Sequence, residues 1–191
     1  MVDAAIQTEK ITLDEFTHLY ETEGAFEIIR GERIQLMLPV SLHGAISKRL
    51  VTMLLAFEAQ GIGEVFYEMP FVLLDESDWV KGSRVPDVMF FAAERLQKYR
   101  KEMSNWEEKP FVLVPDLAAE IVSKNDSYSD INDKVQLYLQ DGVRLVWVID
   151  PKRQQVTVYA PGTPTQFLSA DDNLNGVDFI PGFEMSVASL F

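Results

Sequence analysis

Eight residues, Asp116-Leu117-Ala118-Ala119-Glu120-Ile121-Val122-Ser123, constrain the fold of this chain more than any other stretch. The apolar run is that of a strand covered on both faces, as in the centre of a sheet layered by helices. Glu120 sits near its middle, where a charge is costly unless it is protonated, paired or bound to a metal. A second acid, Asp87, opens another short apolar strand, Pro86-Asp87-Val88-Met89-Phe90-Phe91-Ala92. The proline before it biases the chain to extended geometry. Two acids entering one core from two strands suit Mg²⁺ or Mn²⁺, which take oxygen ligands and keep waters. The same pattern also fits buried acids paired with an arginine or capped by backbone amides.

The rest of the chain alternates strands and helices. Thr12 with Glu15 forms a capping-box pattern, predicting a helix to about residue 21 that ends near Gly24. Residues 26–29 and 34–37 flank a turn at Gly31 and predict a hairpin. Leu42, Ile46, Leu50, Met53, Leu54 and Phe57 recur at helical spacing, predicting a long helix over residues 41–60. Strands are expected over 64–68, 71–74 and 144–149, with a hairpin of 155–159 and 166–168. A helix is expected over 130–140, stopped by Asp141-Gly142. Residues 75–84 read as a polar loop, 93–109 as a charged, partly helical excursion without an apolar face, and the C-terminus as a short tail. With 191 residues, 47% of them hydrophobic and 25% charged, the expectation is one α/β domain over residues 1–191, with 1–10 as a loose tail.

Charge and composition narrow the function classes. Thirty acids face 17 bases, a formal net charge of −13. General nucleic-acid binders carry basic patches because phosphate neutralisation supplies most of their non-specific affinity. A polyanion is therefore expected only at a local cationic face or a metal-filled cleft. No run approaches the roughly 18–20 apolar residues that span a membrane, and residues 1–10 lack the pattern of a signal peptide. There are no cysteines, so thiolate metal sites are excluded and a cytoplasmic setting is the expectation.

Three further residues are candidates for the site. Lys134 lies on the edge of the apolar stripe of helix 130–140, where it either reaches the carboxylates or snorkels to solvent. His43 opens the long helix on the side of Ile46 and Leu50, pointing inward or into a cleft. Glu27, in the apolar strand 26–29, is an extra ligand or a paired acid.

In order and spacing, these segments resemble a known family. Phe26-Glu27-Ile28-Ile29-Arg30-Gly31-Glu32, His43-Gly44, Pro86-Asp87-Val88, Pro115 to Ser123, Lys134 with Tyr138, Gly142 to Pro151 and Pro181-Gly182-Phe183 are similar to the Uma-two type family of restriction-endonuclease-like proteins, within the PD-(D/E)XK nuclease superfamily. The resemblance runs from about residue 12 to 191. It implies a mixed central sheet flanked by helices, an endonuclease hydrolysing DNA with Mg²⁺ or Mn²⁺, Asp87 and Glu120 as metal-binding acids, and Glu27 as the upstream acid. A homodimer fits cleavage of two strands. One position departs from the pattern: the superfamily lysine two residues after the glutamate falls on Val122. That role passes to Lys134, with Lys124 as the alternative. An inactive interaction protein on the nuclease scaffold, or a nuclease for RNA or branched substrates, is the rival reading.

Overall fold

The computed structural model describes residues 10–37, 40–124 and 126–191, so the loose tail expected over 1–10 lies outside the described residues except at Lys10. The helices are α1 (Leu13–Glu23), α2 (Ser41–Glu58), α3 (Ala93–Glu102) and α4 (Tyr128–Asp141). The strands are β1 (Phe26–Ile29), β2 (Glu32–Gln35), β3 (Gly63–Tyr67), β4 (Phe71–Leu74), β5 (Val80–Arg84) and β6 (Val88–Ala92). They continue with β7 (Leu117–Ile121), β8 (Leu145–Asp150), β9 (Gln155–Tyr159), β10 (Gln166–Leu168), β11 (Asn173–Asn175) and β12 (Glu184–Ser186). They pack as two compact units.

The smaller unit takes its residues from Met1–Met37, Pro70–Val85 and Asn105–Leu113. Its antiparallel sheet has the order β2-β1-β5-β4. Thr12 caps α1 with the predicted reciprocal bonds to Glu15. The hairpin turn is the pair Arg30-Gly31, both at positive φ, which gives a tight turn whose twist matches its strands. The loop expected over 75–84 is corrected in its second half: Val80–Arg84 is an inner strand. Lys81 points to solvent, while Ser83 and Arg84 are buried because β1 satisfies them. Ser83 Oγ accepts from the Ile28 N–H, and Arg84 donates to the Ile28 carbonyl, each at 2.8 Å.

The larger unit comprises Leu38–Met69, Pro86–Ser104 and Val114–Phe191. Its mixed sheet has the order β10-β9-β8-β7-β6-β3, with β7 and β8 parallel and the other pairs antiparallel. A parallel pair needs a crossover, and α4 supplies it. Leu117, Ala119 and Ile121 face a core shared with Ile46, Leu50 and Leu54 of α2 and with Trp147 and Phe183. Strand alternation therefore sends Ala118 and Glu120 to the opposite face, where Val135 and Tyr138 of α4 are buried. Leu42 and Met53, expected in the apolar stripe of α2, are instead exposed, and the buried stripe runs through His43, Ile46, Ser47, Leu50 and Leu54.

Two other expectations are corrected here. Residues 93–102 form a regular helix whose narrow apolar face, Leu96 and Tyr99, is buried, while Arg100 clasps Glu64 of β3. The C-terminal segment is no tail. It carries the β11–β12 ribbon and places Leu174, Ile180, Phe183, Val187 and Leu190 in the core, with the Phe183 ring 5.3 Å from Trp147.

Candidate active site

β6 and β7 bring the two acids together. Val88 pairs with Ala119 in the ladder, so one step further Asp87 lies opposite Glu120. Residues directly opposite in an antiparallel pair share a face, with Cβ atoms about 4.5–5.5 Å apart. Asp87 is held in place by the next backbone group along, since its Oδ2 accepts from the Ile121 N–H at 2.6 Å.

Helices approach these acids from two sides. His43, near the start of α2, places Nε2 2.9 Å from Asp87 Oδ1. Its Nδ1 is buried without a hydrogen-bond partner among the described residues. The hydrogen bond to Asp87 raises the His43 pKa above its ordinary value; burial opposes that rise, and the charges of Asp87, Glu120 and Glu68 add to it. From α4, Lys134 Nζ lies 2.9 Å from Glu120 Oε2, and the Tyr138 hydroxyl donates to Glu120 Oε1. Lys134 and Tyr138 are four residues apart, so the helical repeat stacks them on one face. A capping box at the start of α4, formed by Ser127 and Asp130, fixes where that face begins.

The sequence-predicted residues thus divide. Asp87, Glu120, Lys134 and His43 converge in the larger unit. Glu27 belongs to the smaller unit, where it is 2% exposed and accepts from the Val85 N–H at 2.8 Å. Lys124 lies exposed in the turn beyond β7 and makes no ion pair among the described residues. Val122 continues the strand line, with its N–H donated to the Ile149 carbonyl at 2.8 Å. Tyr138 is buried on the inner side of α4. Its hydroxyl on Glu120 adds a polar role that its four-residue spacing from Lys134 could have signalled.

The donor set can be tested against a metal ion. Among the described residues no group of three or more His, Cys, Asp or Glu forms a closed cage. Mg²⁺ and Mn²⁺ do not need one: one or two carboxylates hold Mg²⁺, and waters and phosphate oxygens complete its shell. A carboxylate has about four acceptor directions, so the two donors on Asp87 leave it free to bind an ion as well. Two hard oxygen ligands on neighbouring strands therefore fit such an ion in an open site.

A different acid occupies the other end of β7. Asp116 is fully buried and was not singled out in the sequence. Its Oδ2 accepts from the Ala92 N–H at 2.8 Å, and its Oδ1 meets Arg95 at 2.7 Å and Arg144 at 3.0 Å. Two cations on one carboxylate make it a clamp between α3, β7 and the start of β8.

Among curated proteins, no sequence matches this chain. A crystal structure titled as a putative nuclease belonging to DUF820 from Anabaena variabilis ATCC 29413 is similar over 95% of this chain and 97% of that one. The identity is 30% and the TM-score 0.76, which establishes the restriction-endonuclease-like mixed sheet with flanking helices. The family described as "Putative restriction endonuclease", Uma2, matches residues 13–188. With nearly its whole length covered, and with the sheet and helices in the matching arrangement, the chain belongs to the Uma2 family.

Proposed function

We propose that this protein is an endonuclease that hydrolyses DNA phosphodiester bonds with a divalent cation, Mg²⁺ or Mn²⁺, held by Asp87 and Glu120. One observation carries the reading: the ladder register puts Asp87 across from Glu120, and a lysine ammonium sits on Glu120. The family description and the nuclease title of the similar structure support it.

Bound there, the ion lowers the pKa of an attacking water and offsets charge building on the phosphate. The protein's own groups do the positioning. Lys134 fills the electrostatic place left by Val122, arriving from α4 rather than from β7. It is about one-third exposed on its side chain, so its ammonium can orient a water while staying paired to Glu120. Tyr138 fixes the second oxygen of Glu120, which restricts the carboxylate to one rotamer. His43 holds Asp87 from the opposite side and lines the approach to it. Glu27, in the smaller unit, accepts from the Val85 N–H of that same unit and acts there as a structural acid.

The rival reading is an interaction protein on an inactive nuclease scaffold, favoured by the net charge of −13 and by Val122. Supercoiled plasmid and single-stranded DNA, incubated with Mg²⁺ or Mn²⁺, separate the two. Cleavage by the wild type that Glu120→Gln abolishes is the expected result. Absence of cleavage with either metal favours the rival, and equal cleavage by the variant takes Glu120 out of the reaction and overturns the reading.

A further inference from the structure

The β9–β10 edge of the larger unit carries a surface that the proposed hydrolysis does not use. Residues 154–170 contain no charged side chain, although a quarter of the whole chain is charged. This neutral stretch forms the hairpin at the edge of the six-stranded sheet. Beside it, the outer flank of α4 presents Tyr128, Asn132, Gln136 and Leu139, again without a charge, and the two elements enclose a groove of about 400 Å³. Phe167 and Tyr128 both line this groove, and they are 73% and 84% exposed. Among the described residues no strand pairs with the outer edge of β10.

We infer that this face binds a second copy of the chain, through β10 and the aromatic groove, to give a two-fold homodimer. Electrostatics selects the occupant. Two copies carrying −13 each repel, so they can meet closely only where charge is absent. The same lack of cations disfavours a nucleic-acid backbone, whose binding rests on phosphate neutralisation. Exposed aromatic rings with few charges are the composition of an interface centre. An edge strand without lysine, acid or proline inside it is open to pairing; Pro161 and Pro164 lie in the loop before β10, so the outward-facing amides of the strand, every second residue, remain donors. In a two-fold contact residue i meets j and j meets i. Antiparallel β10–β10 pairing satisfies this and places Phe167 near the axis. The inference stands apart from the catalytic reading and survives if that reading fails.

Sedimentation velocity on the full chain at micromolar concentration tests it, with thermal melts followed by circular dichroism. The wild type is expected to sediment at twice the chain mass, and Phe167→Asp with Tyr128→Asp at the single mass with an unchanged melt. If that double variant unfolds, Thr165→Lys on the exposed hairpin loop takes its place, with the same shift to single mass expected. A monomeric wild type overturns the inference, as does a dimer that persists in the folded variants. A monomeric wild type whose affinity for a single-stranded oligonucleotide falls in the variants assigns the groove to nucleic acid instead.

Discussion

Asp116, just before β7, and Glu120, within it, stand four residues apart and are both buried, yet their surroundings differ. Asp116 is fully enclosed and meets two arginines and a backbone amide. Glu120 meets one lysine and one phenol, and a second acid lies across the ladder from it. Where cations outnumber the acid, charge is compensated and the group locks elements together. Where two acids share one lysine and one titratable histidine, negative potential remains for an added cation. On the proposed reading, burial alone does not mark a functional carboxylate; the local balance of charge around it does.

The largest effect expected from this contrast is on stability. Asp116→Ala removes the buried acceptor shared by two partly solvated guanidinium groups and the Ala92 N–H, and is expected to cost about 1.5–3 kcal/mol, the range for hydrogen bonds to a charged group. Glu120→Gln keeps an acceptor for Tyr138, and its lysine partner is partly solvated, so its cost is expected to stay within about 1 kcal/mol. Urea unfolding of the two variants measures both. A small loss for Asp116→Ala beside a large one for Glu120→Gln reverses the assignment of clamp and site. In cleavage the order inverts: Glu120→Gln is expected to lose about a thousandfold, roughly 4 kcal/mol of barrier.

The convergence of Asp87, Glu120, Lys134 and His43 in the candidate site was legible in the sequence because its signals are local. A carboxylate within a run apolar on both faces, a proline-led acidic strand and a lysine on the edge of a helical stripe are each read within a few residues. Asp116 escaped because it stands at the strand boundary, where an acid passes for an ordinary polar flank. Its arginines come from α3 and from the residue before β8, distant in sequence. β5 escaped for a related reason: Val80-Lys81-Gly82-Ser83-Arg84 has one large apolar residue, and its burial depends on β1 satisfying Ser83 and Arg84. The C-terminal ribbon is built of three-residue strands, too short for a period of two to show. Tyr138 was legible as buried but not as a donor, since periodicity reports the position of a ring and not the use of its hydroxyl.

Smaller effects probe how Glu120 is held. Lys134→Met is expected to lower cleavage about a hundredfold, within the span of a single positioned catalytic group. Tyr138→Phe, which removes one donor and leaves the ring packed, is expected to lower it about tenfold, the equivalent of one modest hydrogen bond. Metal titrations alongside the rates sharpen the distinction. Tyr138→Phe acts through Glu120 and is expected to weaken apparent Mg²⁺ affinity, whereas a merely structural Tyr138 shifts the melt and leaves metal affinity unchanged.

The smallest effect separates permanent from titratable compensation. The cations facing Asp116 are guanidinium groups. The cation facing Asp87 is a histidine whose pKa is raised from 6.5 by its hydrogen bond to that acid. A group raised in the folded state contributes stability that is complete below its unfolded value and is lost as pH climbs through the folded value. In the presence of a chelator, the wild type is therefore expected to lose stability above pH 6.5, and His43→Gln to lack that component of the decline. Paired denaturation curves from mildly acid to mildly alkaline pH read the difference directly. Parallel profiles for the two proteins mean that His43 does not charge against Asp87, leaving the Lys134 ammonium as the cation seen at the acid pair among the described residues. The site is then still more negative, and its contrast with Asp116 deeper, than the histidine contact implies.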